Sequence, residues 1–165
     1  MEENPERNIV NKVVVVTGSS RGIGANIVKT LAKKGYRVIL NYNKSENYAQ
    51  NVQKELINVD IFKADVSKKA EAVSLINFAI EKYGKIDVLI NNAGISQSKL
   101  FTDLTDEDWN NIINSNLNSA FFCSREAAKN MIHNKSGLII NISSIWGITG
   151  ASCEVVYSTT KGGLN

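Results

Sequence analysis

The sequence predicts an α/β fold in which helices flank one parallel, doubly wound sheet. Three observations predict it: short β-branched runs alternate with longer amphipathic segments, these segments have roughly ten residues or more, and the first run ends at a glycine. Parallel neighbours need long crossover connections, and strands buried on both faces carry continuous apolar runs. The alternation is therefore typical of crossover units joined into one sheet.

Five strands and four helices are predicted in order along the chain. The predicted strands are the Val-, Ile- and Leu-rich runs at residues 12–17, 37–42, 60–63, 86–90 and 138–142. The predicted helices are residues 24–32, 45–56, 67–83 and 106–133. Gly35 and Gly84 are expected to end the first and third helices, and Ser67 is expected to cap the third. The acidic first turn of the fourth helix suits the helix dipole.

Several side chains are expected to serve the core or the surface. The fourth helix is expected to carry one apolar stripe, formed by Ile113, Leu117, Phe121 and Ser124. Trp109 and Trp146 are interpreted as packing residues, and His133 as a capping or surface group at a helix end. Cys123 and Cys153 fit neither a disulfide scaffold nor a zinc pattern. They are expected to be small buried hydrophobes, and no metal site is predicted.

Composition and charge exclude several other classes of protein. Of the 165 residues, 43% are hydrophobic and 21% charged, which is the profile of one soluble globular domain. The longest aliphatic run, residues 13–16, is far shorter than the roughly 20 apolar residues of a membrane-spanning helix. The acidic, polar start at residues 1–7 resembles neither a secretory signal nor a transit peptide, so a cytoplasmic protein is expected. The net charge of +3 is spread along the chain and implies no nucleic-acid partner.

A glycine-rich turn joins the first strand to the first helix. It reads Thr17-Gly18-Ser19-Ser20-Arg21-Gly22-Ile23-Gly24. Its glycines let the backbone turn sharply and approach a pyrophosphate, while the helix N-terminus offers unpaired N–H groups. The turn predicts a dinucleotide cradle, although glycine clusters between a strand and a helix also occur as plain turns.

The residues after the next strands indicate which cofactor the cradle holds. Residues 41–44, at the end of the second strand, read Asn-Tyr-Asn-Lys and contain no carboxylate that would bind a ribose 2′-hydroxyl. Together with Arg21, these neutral and basic groups favour NADP(H) over NAD(H), because a guanidinium can bind the extra phosphate. The alternative is that Arg21 and Lys44 are surface cations. Asp65-Val66 and the segment 91–94 follow the third and fourth strands, where adenine and ribose would lie, or they are ordinary turns.

Ser144, Tyr157 and Lys161 are the catalytic candidates. Ser144 follows the fifth strand, and Tyr157 and Lys161 have the spacing that places two side chains on one face of a helix. A neighbouring ammonium favours the ionised form of a phenol and so equips it for proton transfer. Taken alone, such a pair is more often structural.

The order and spacing of these motifs resemble the short-chain dehydrogenase/reductase family. The resemblance rests on the glycine turn, the Asn-Asn-Ala-Gly segment at 91–94, Ser144 and the Tyr157-x-x-x-Lys161 pair, and it covers nearly the whole chain. The sequences of the glycine turn and of residues 116–121 are most similar to those of the reductases that act on 3-oxoacyl groups carried by acyl carrier protein. Sugar-alcohol and small-ketone dehydrogenases of the family share the motifs and remain an alternative.

The resemblance implies a role for each matching residue. Tyr157 is similar to the general acid, Ser144 to the residue that hydrogen-bonds the substrate carbonyl oxygen, and Lys161 to the lysine that holds the nicotinamide ribose and assists the tyrosine. Asn116 matches the asparagine that anchors a water in the proton relay. The implied cofactor contacts are Gly18, Ser19, Ser20, Arg21, Gly22, Ile23, Gly24, Asn41, Asp65, Val66, Asn92, Ala93, Gly94, Tyr157 and Lys161. The implied partners are an acyl-carrier-bound or small carbonyl substrate and NADP(H), with Lys135 docking the acidic carrier.

The family fold continues beyond the Tyr/Lys helix with two strands, a Pro-Gly segment and a lid. This sequence ends at Asn165, and its one proline is Pro5. Residues 1–165 are therefore expected to form a single NADP-binding Rossmann-type domain that lacks the last strands of its sheet. The chain is then either a piece of a longer reductase, which the resemblance implies is a homo-tetramer, or a non-catalytic nucleotide-binding remnant. Residues 1–165 alone are expected to show no reductase activity and to form assemblies of several sizes in solution.

Overall fold

The computed structural model describes residues 11–165, within which five parallel strands form one sheet. The strands are β1 (Val13–Val16), β2 (Arg37–Tyr42), β3 (Val59–Lys63), β4 (Val88–Asn91) and β5 (Leu138–Asn141). Their spatial order is β3-β2-β1-β4-β5, and every neighbouring pair is parallel. The predicted α/β fold is confirmed. The strand order reverses between β1 and β4, which is where such sheets bind ligands, beyond the carboxyl ends of the strands.

Seven helices surround the sheet in the part of the chain that the structure describes. They are α1 (Gly22–Lys33), α2 (Glu46–Lys54), α3 (Lys69–Tyr83), α4 (Asp106–Ile113), α5 (Ser119–His133), α6 (Trp146–Thr149) and α7 (Val155–Leu164). A π turn, Asn114–Asn118, joins α4 to α5, so the predicted long helix is one continuous rod with a wider turn in its middle. The acidic start at residues 1–7 lies outside the described residues.

Two hydrophobic cores lie on opposite faces of the sheet. Alternate valines of β1 point to opposite sides: Val13 and Val15 pack with α3 and α5, whereas Val14 and Val16 pack with α1 and α2. All four are buried, which explains why the strand is apolar at every position. The helices thus form two outer layers, and the polar carboxyl ends of the strands remain open.

The structure corrects the predicted stripe of the long helix. The face that packs on the sheet carries small residues, among them Ala120, Cys123 and Ala127, whereas Phe121 is 53% exposed with the Arg125 guanidinium 4.8 Å from its ring centroid. Leu117, Phe121 and Ser124 do share one stripe, since they line one shallow cavity, but this stripe is not the face that packs on the sheet. The physical reason is close packing, since small side chains let the helix approach the sheet and leave the aromatic ring on the outside.

Some smaller predictions also differ. Helix α3 begins at Lys69, and Ser67 does not cap it, because the Ser67 hydroxyl donates to the Asp65 carboxylate at 2.6 Å. Trp109 and Trp146 are partly exposed rather than packed in a core. Of the other side chains considered, Cys123 is buried as predicted and His133 is exposed at the end of α5, but Cys153 is only half-buried, at a positive φ. Gly84 ends α3 in the left-handed conformation, as predicted.

Within residues 11–165, no helix has the length and apolarity needed to cross a membrane.

A capping box starts α4 and also anchors the segment before it. Thr105 Oγ1 accepts from the Asp108 N–H at 3.1 Å, and the Asp108 carboxylate accepts from the Thr105 N–H at 3.0 Å. The same carboxylate binds Lys99 Nζ at 2.6 Å and Gln97 Nε2 at 2.8 Å. The Lys99 ammonium, followed by the N–H of Thr105 and the amide of Gln97, holds the pKa of Asp108 well below its usual range.

Asp108→Asn is expected to lower the midpoint of thermal unfolding at pH 7 more than at about pH 3. The reason is linkage: the folded-state pKa of Asp108 is depressed, so its contribution is present above the unfolded pKa of about 3.9 and is lost as the pH falls further. Thermal unfolding of both proteins across this pH range measures the difference. Asp106→Asn in the same first turn is the control, and an Asp108 effect that does not shrink on acidification would contradict the prediction.

Candidate active site

Two glycines make the β1–α1 turn possible. Gly18 has φ +58°, and a Cβ placed on it would lie 2.8 Å from Ala93 Cα. A Cβ on Gly24 would lie 2.6 Å from Ser19 Cα. Neither position can hold a larger residue unless the backbone moves. The turn therefore needs glycine at both positions, as the cradle prediction requires.

Asn41 and Ser19 hold this turn from behind. The Asn41 side chain is 1% exposed, accepts from the Gly18 N–H at 3.0 Å and donates to the Ala64 carbonyl at 3.0 Å. Ser19 Oγ is fully buried, donates to the Val16 carbonyl at 2.7 Å and accepts from the Asn41 N–H at 3.2 Å. Both side chains were expected to touch the cofactor. In the structure these side chains bond to the protein itself and hold the turn in place.

Thr17 links the two strands at the switch point and was not assigned a role from sequence. Its Oγ1 accepts from the N–H groups of Asn92 and Ala93, both at 3.0 Å. In return, Asn92 Nδ2 donates to the Thr17 carbonyl at 2.9 Å and to the Gly18 carbonyl at 3.0 Å. The sequence feature that could have pointed to this role is a hydroxyl residue directly after an all-valine strand. These bonds hold the segment after β4 against the glycine turn.

An open cleft of about 700 Å³ lies above the carboxyl ends of the strands. The predicted residues that line it are Gly18, Ser20, Arg21, Gly22, Ile23, Gly24, Asp65, Asn92, Ala93 and Gly94. Residues that the sequence did not single out also line it, namely Ser45, Ser67, Ile95, Asn111 and Ser115. Val66 and Asn41 border a smaller adjoining cavity of about 140 Å³. Most of the predicted cofactor residues therefore meet at one place.

Neutral and basic side chains line the cleft near the end of β2. Exposed Arg21, the residue before α1, stands on the same wall as Asn43 and Lys44 at the end of β2. The Asp65 carboxylate is occupied, because it accepts from the N–H and the hydroxyl of Ser67. The end of β2 therefore offers neutral and basic groups to a ligand.

Lys161 is buried beside Tyr157 on α7. The Lys161 side chain is 4% exposed, its Nζ donates to the Ile142 carbonyl at 2.6 Å, and it stands 5.6 Å from the centroid of the Tyr157 ring. Burial lowers the pKa of Lys161 from its ordinary value. An ammonium has three N–H groups, and the bond to Ile142 uses one of them. The predicted helical pairing of Tyr157 and Lys161 is confirmed.

The loop after β5 is fastened to α7. The Ser143 hydroxyl donates to the Lys161 carbonyl at 3.1 Å, and a Cβ on Gly147 would lie 2.6 Å from the carbonyl carbon of Lys161. Ser144 Oγ accepts from the Trp146 N–H at 3.2 Å, so its hydrogen remains free to be donated. The half-buried Ser144 is thus placed by contacts that leave a donor available.

Asn116 lies in the π turn and is buried. Its Oδ1 accepts from the Ile95 N–H at 2.8 Å, and its Nδ2 donates to the Ile95 carbonyl at 2.9 Å. A Cβ on Gly94 would lie 3.3 Å from Asn116 Oδ1 and 3.7 Å from Lys161 Nζ. Gly94, which lines the cleft, therefore lies next to Asn116 and Lys161. Asn116, Ser144, Tyr157 and Lys161 lie beyond the residues that line the cleft itself.

These features fit a nicotinamide dinucleotide. The turn of Gly18 to Gly24 leads into the N-terminus of α1, where unpaired N–H groups favour phosphate. A Cβ on Gly22 would meet no atom within 4 Å, so the turn is open on the side of the cleft that a pyrophosphate would enter. The buried ammonium of Lys161 supplies donors for sugar hydroxyls at the other end.

Comparison with known proteins shows the family of this chain. The model of the short chain dehydrogenase family matches residues 12–165, and the chain belongs to this family. It is 36% identical over 159 residues to the 3-oxoacyl-[acyl-carrier-protein] reductase FabG of Staphylococcus epidermidis, and 37% identical over 159 residues to the reductase of the same name from Staphylococcus aureus. It is also 38% identical over 158 residues to the uncharacterized oxidoreductase YmfI of Bacillus subtilis.

The alignments with the two reductases cover 94% of this chain and 65% of each reductase, and the alignment with YmfI covers 93% and 64%. The chain thus spans slightly less than two thirds of the length of these relatives, 64–65%. The predicted family is confirmed.

Proposed function

We propose that the protein is an NADPH-dependent reductase that converts 3-oxoacyl thioesters on acyl carrier protein to 3-hydroxyacyl thioesters in fatty-acid biosynthesis. The observation that carries the proposal is the buried Lys161 ammonium, which stands beside the Tyr157 ring and next to Gly94, a residue that lines the cleft together with the glycine turn. The names of the staphylococcal relatives support the substrate class.

Each residue of the site has a separate role in the proposed reaction. The residues around the cleft would hold a reduced nicotinamide, which would supply the hydride that the carbonyl carbon accepts. Tyr157 gives its phenolic proton to the carbonyl oxygen, and the free hydrogen of Ser144 Oγ stabilises the negative charge that develops on that oxygen. Lys161 uses its remaining N–H groups for the ribose hydroxyls and places a positive charge 5.6 Å from the centroid of the Tyr157 ring. The product is an alcohol.

Cofactor preference tests the proposal at the outer end of the cleft. Arg21→Ala is expected to weaken NADPH binding by roughly 1.5–3 kcal/mol and NADH binding far less, because only NADPH carries the 2′-phosphate that a guanidinium binds. Calorimetric titration of both cofactors measures the difference. Arg37→Ala, an exposed arginine at the start of β2, is the matched control. Equal losses for the two cofactors, or tighter NADH binding by the unmodified protein, would contradict the assignment of NADPH.

Docking of the carrier protein is proposed at Lys135. This lysine is exposed in the turn between α5 and β5. Lys135→Glu is expected to raise the KM for a carrier-bound substrate but not for a small thioester, and the effect should shrink as salt is added. Steady-state kinetics with both substrates measure it, and Lys33→Glu, an exposed lysine at the end of α1, is the control. An equal change for the two substrates would leave Lys135 without a docking role.

Assembly into a homo-tetramer belongs to the same proposal. Phe121 on α5 is exposed, and a shallow cavity of about 390 Å³ runs from it to Leu117 and on to Gly163 and Leu164 near the end of α7. An exposed aromatic ring beside a depression is a feature of surfaces that bind another subunit. This surface supports contact between copies of the chain.

A further inference from the structure

We propose that Thr160 is a positioning residue that ties the backbone of Tyr157 to Asn116. The consequence for turnover rests on the proposed reductase function, whereas the linkage itself does not. The Thr160 side chain is 0% exposed. Its Oγ1 accepts from Asn116 Nδ2 at 3.1 Å and donates to the Tyr157 carbonyl at 2.7 Å. The Thr160 hydroxyl has a single hydrogen, which goes to the Tyr157 carbonyl. Towards Asn116 it can therefore act only as an acceptor.

Asn116 extends this linkage to the segment after β4. One N–H of its amide goes to Thr160 and the other to the Ile95 carbonyl, while its Oδ1 accepts from the Ile95 N–H. Both Nδ2 hydrogens are thereby used. The bonds connect three parts of the chain in series: the segment at Ile95, the π turn at Asn116 and the helix that carries Tyr157.

Removing the Thr160 hydroxyl breaks the series at its centre. One buried N–H of Asn116 then loses its acceptor, and an unsatisfied buried donor is costly enough to make the amide turn towards another partner. That motion loosens the Ile95 N–H, whose acceptor is the same amide. It also moves Asn116 relative to Gly94, which lies next to both Asn116 and Lys161.

Thr159 is the natural comparison for Thr160. The neighbouring threonine is exposed, and its hydroxyl donates to the Val155 carbonyl at 2.9 Å within the same helix. It therefore makes a hydroxyl-to-carbonyl bond of the same kind without contacting another segment. A variant of Thr159 reports the cost of losing a hydroxyl on α7, and only a variant of Thr160 interrupts the linkage.

Amide hydrogen exchange tests the linkage without requiring catalysis. In Thr160→Val, exchange at the Ile95 N–H is expected to be about threefold to tenfold faster, the effect of one net hydrogen bond, relative to the buried β1 amide of Val15. Thr159→Val should leave that ratio unchanged, and Thr160→Ser should restore it. Thr160→Ala gives a second variant without the hydroxyl. An unchanged ratio in Thr160→Val and Thr160→Ala, or the same acceleration in Thr159→Val, would overturn the proposal.

Turnover provides the second measurement. Thr160→Val is expected to lower kcat for 3-oxoacyl thioester reduction about threefold to tenfold while the KM for NADPH stays nearly constant, because the linkage contains no residue of the glycine turn. Thr160→Ser should recover the rate. A fall in kcat that serine does not reverse would overturn the positioning role. If no preparation of the protein, of whatever length, reduces a 3-oxoacyl thioester, the proposed function fails, and the exchange ratio at Ile95 still decides the linkage.

Discussion

Tyr157→Phe is expected to lower the rate of carbonyl reduction by about 10²–10⁴-fold while NADPH binding stays nearly intact. The substitution removes the phenolic proton and keeps the ring, and general acid catalysis contributes an effect of this size. The half-buried ring lies within 5.6 Å of Lys161 Nζ, so phenylalanine fills the same space without disturbing the ammonium.

The rate is measured by steady-state reduction of an acetoacetyl thioester, with a preparation of the protein that is active before the substitution. Calorimetry measures NADPH binding in the same preparation. Tyr48→Phe is the matched control because Tyr48 is an exposed residue of α2. A normal rate in Tyr157→Phe would refute the role of this phenol as proton donor.

Lys161→Met is expected to weaken NADPH binding and to lower turnover by at least about a hundredfold. One ammonium serves two partners, so its loss removes donors for the ribose and the charge that assists Tyr157. Methionine matches the length of the lysine stem and keeps the apolar contacts of the buried position. A variant with unchanged NADPH affinity would exclude the ribose contact.

The same substitution makes a prediction about stability and pH. Burial depresses the folded-state pKa of Lys161 below its ordinary value of 10.5, so the protonated lysine costs stability at neutral pH. That cost disappears as the pH rises through the interval between the folded and unfolded pKa values. The midpoint of thermal unfolding of Lys161→Met, relative to the unmodified protein, should therefore fall between pH 7 and about pH 10. Lys129→Met, at an exposed lysine, should show no such trend.

Local patterns predicted most of the fold. The bounds of β2 are those of its apolar run, and the glycine turn lies where the first valine run ends, because both depend on neighbouring residues. The contacts that hold the site were not predictable in this way. Asn41 bonds Gly18 and Ala64, each 23 residues away, and Asn116 bonds Thr160 at a distance of 44 residues along the chain. Neither an asparagine in a strand, such as Asn41, nor one in a helical turn, such as Asn116, carries a local signal for such partners.

The exposed Phe121 illustrates a second limit. Hydrophobic periodicity identifies positions only by how apolar they are. The helix face that packs on the sheet instead carries small side chains, because these let the helix approach the sheet closely. Ala120, Ala127 and Cys123 therefore occupy the inner face although Phe121 is the larger hydrophobe. Sequence periodicity alone does not measure the distance between a helix and its sheet.

The burial of Asn41 determines where an engineer could reverse the cofactor preference that we propose for this protein. A carboxylate from Asn41→Asp would still accept from the Gly18 N–H, but it would face the carbonyl oxygens of Phe62 and Ala64, to which the amide now donates at 3.3 and 3.0 Å. Repulsion there would distort the turn before any cofactor could enter. Asn43 is exposed on the wall of the cleft, so an acidic residue at that position would reach the ribose while leaving the scaffold of the turn intact.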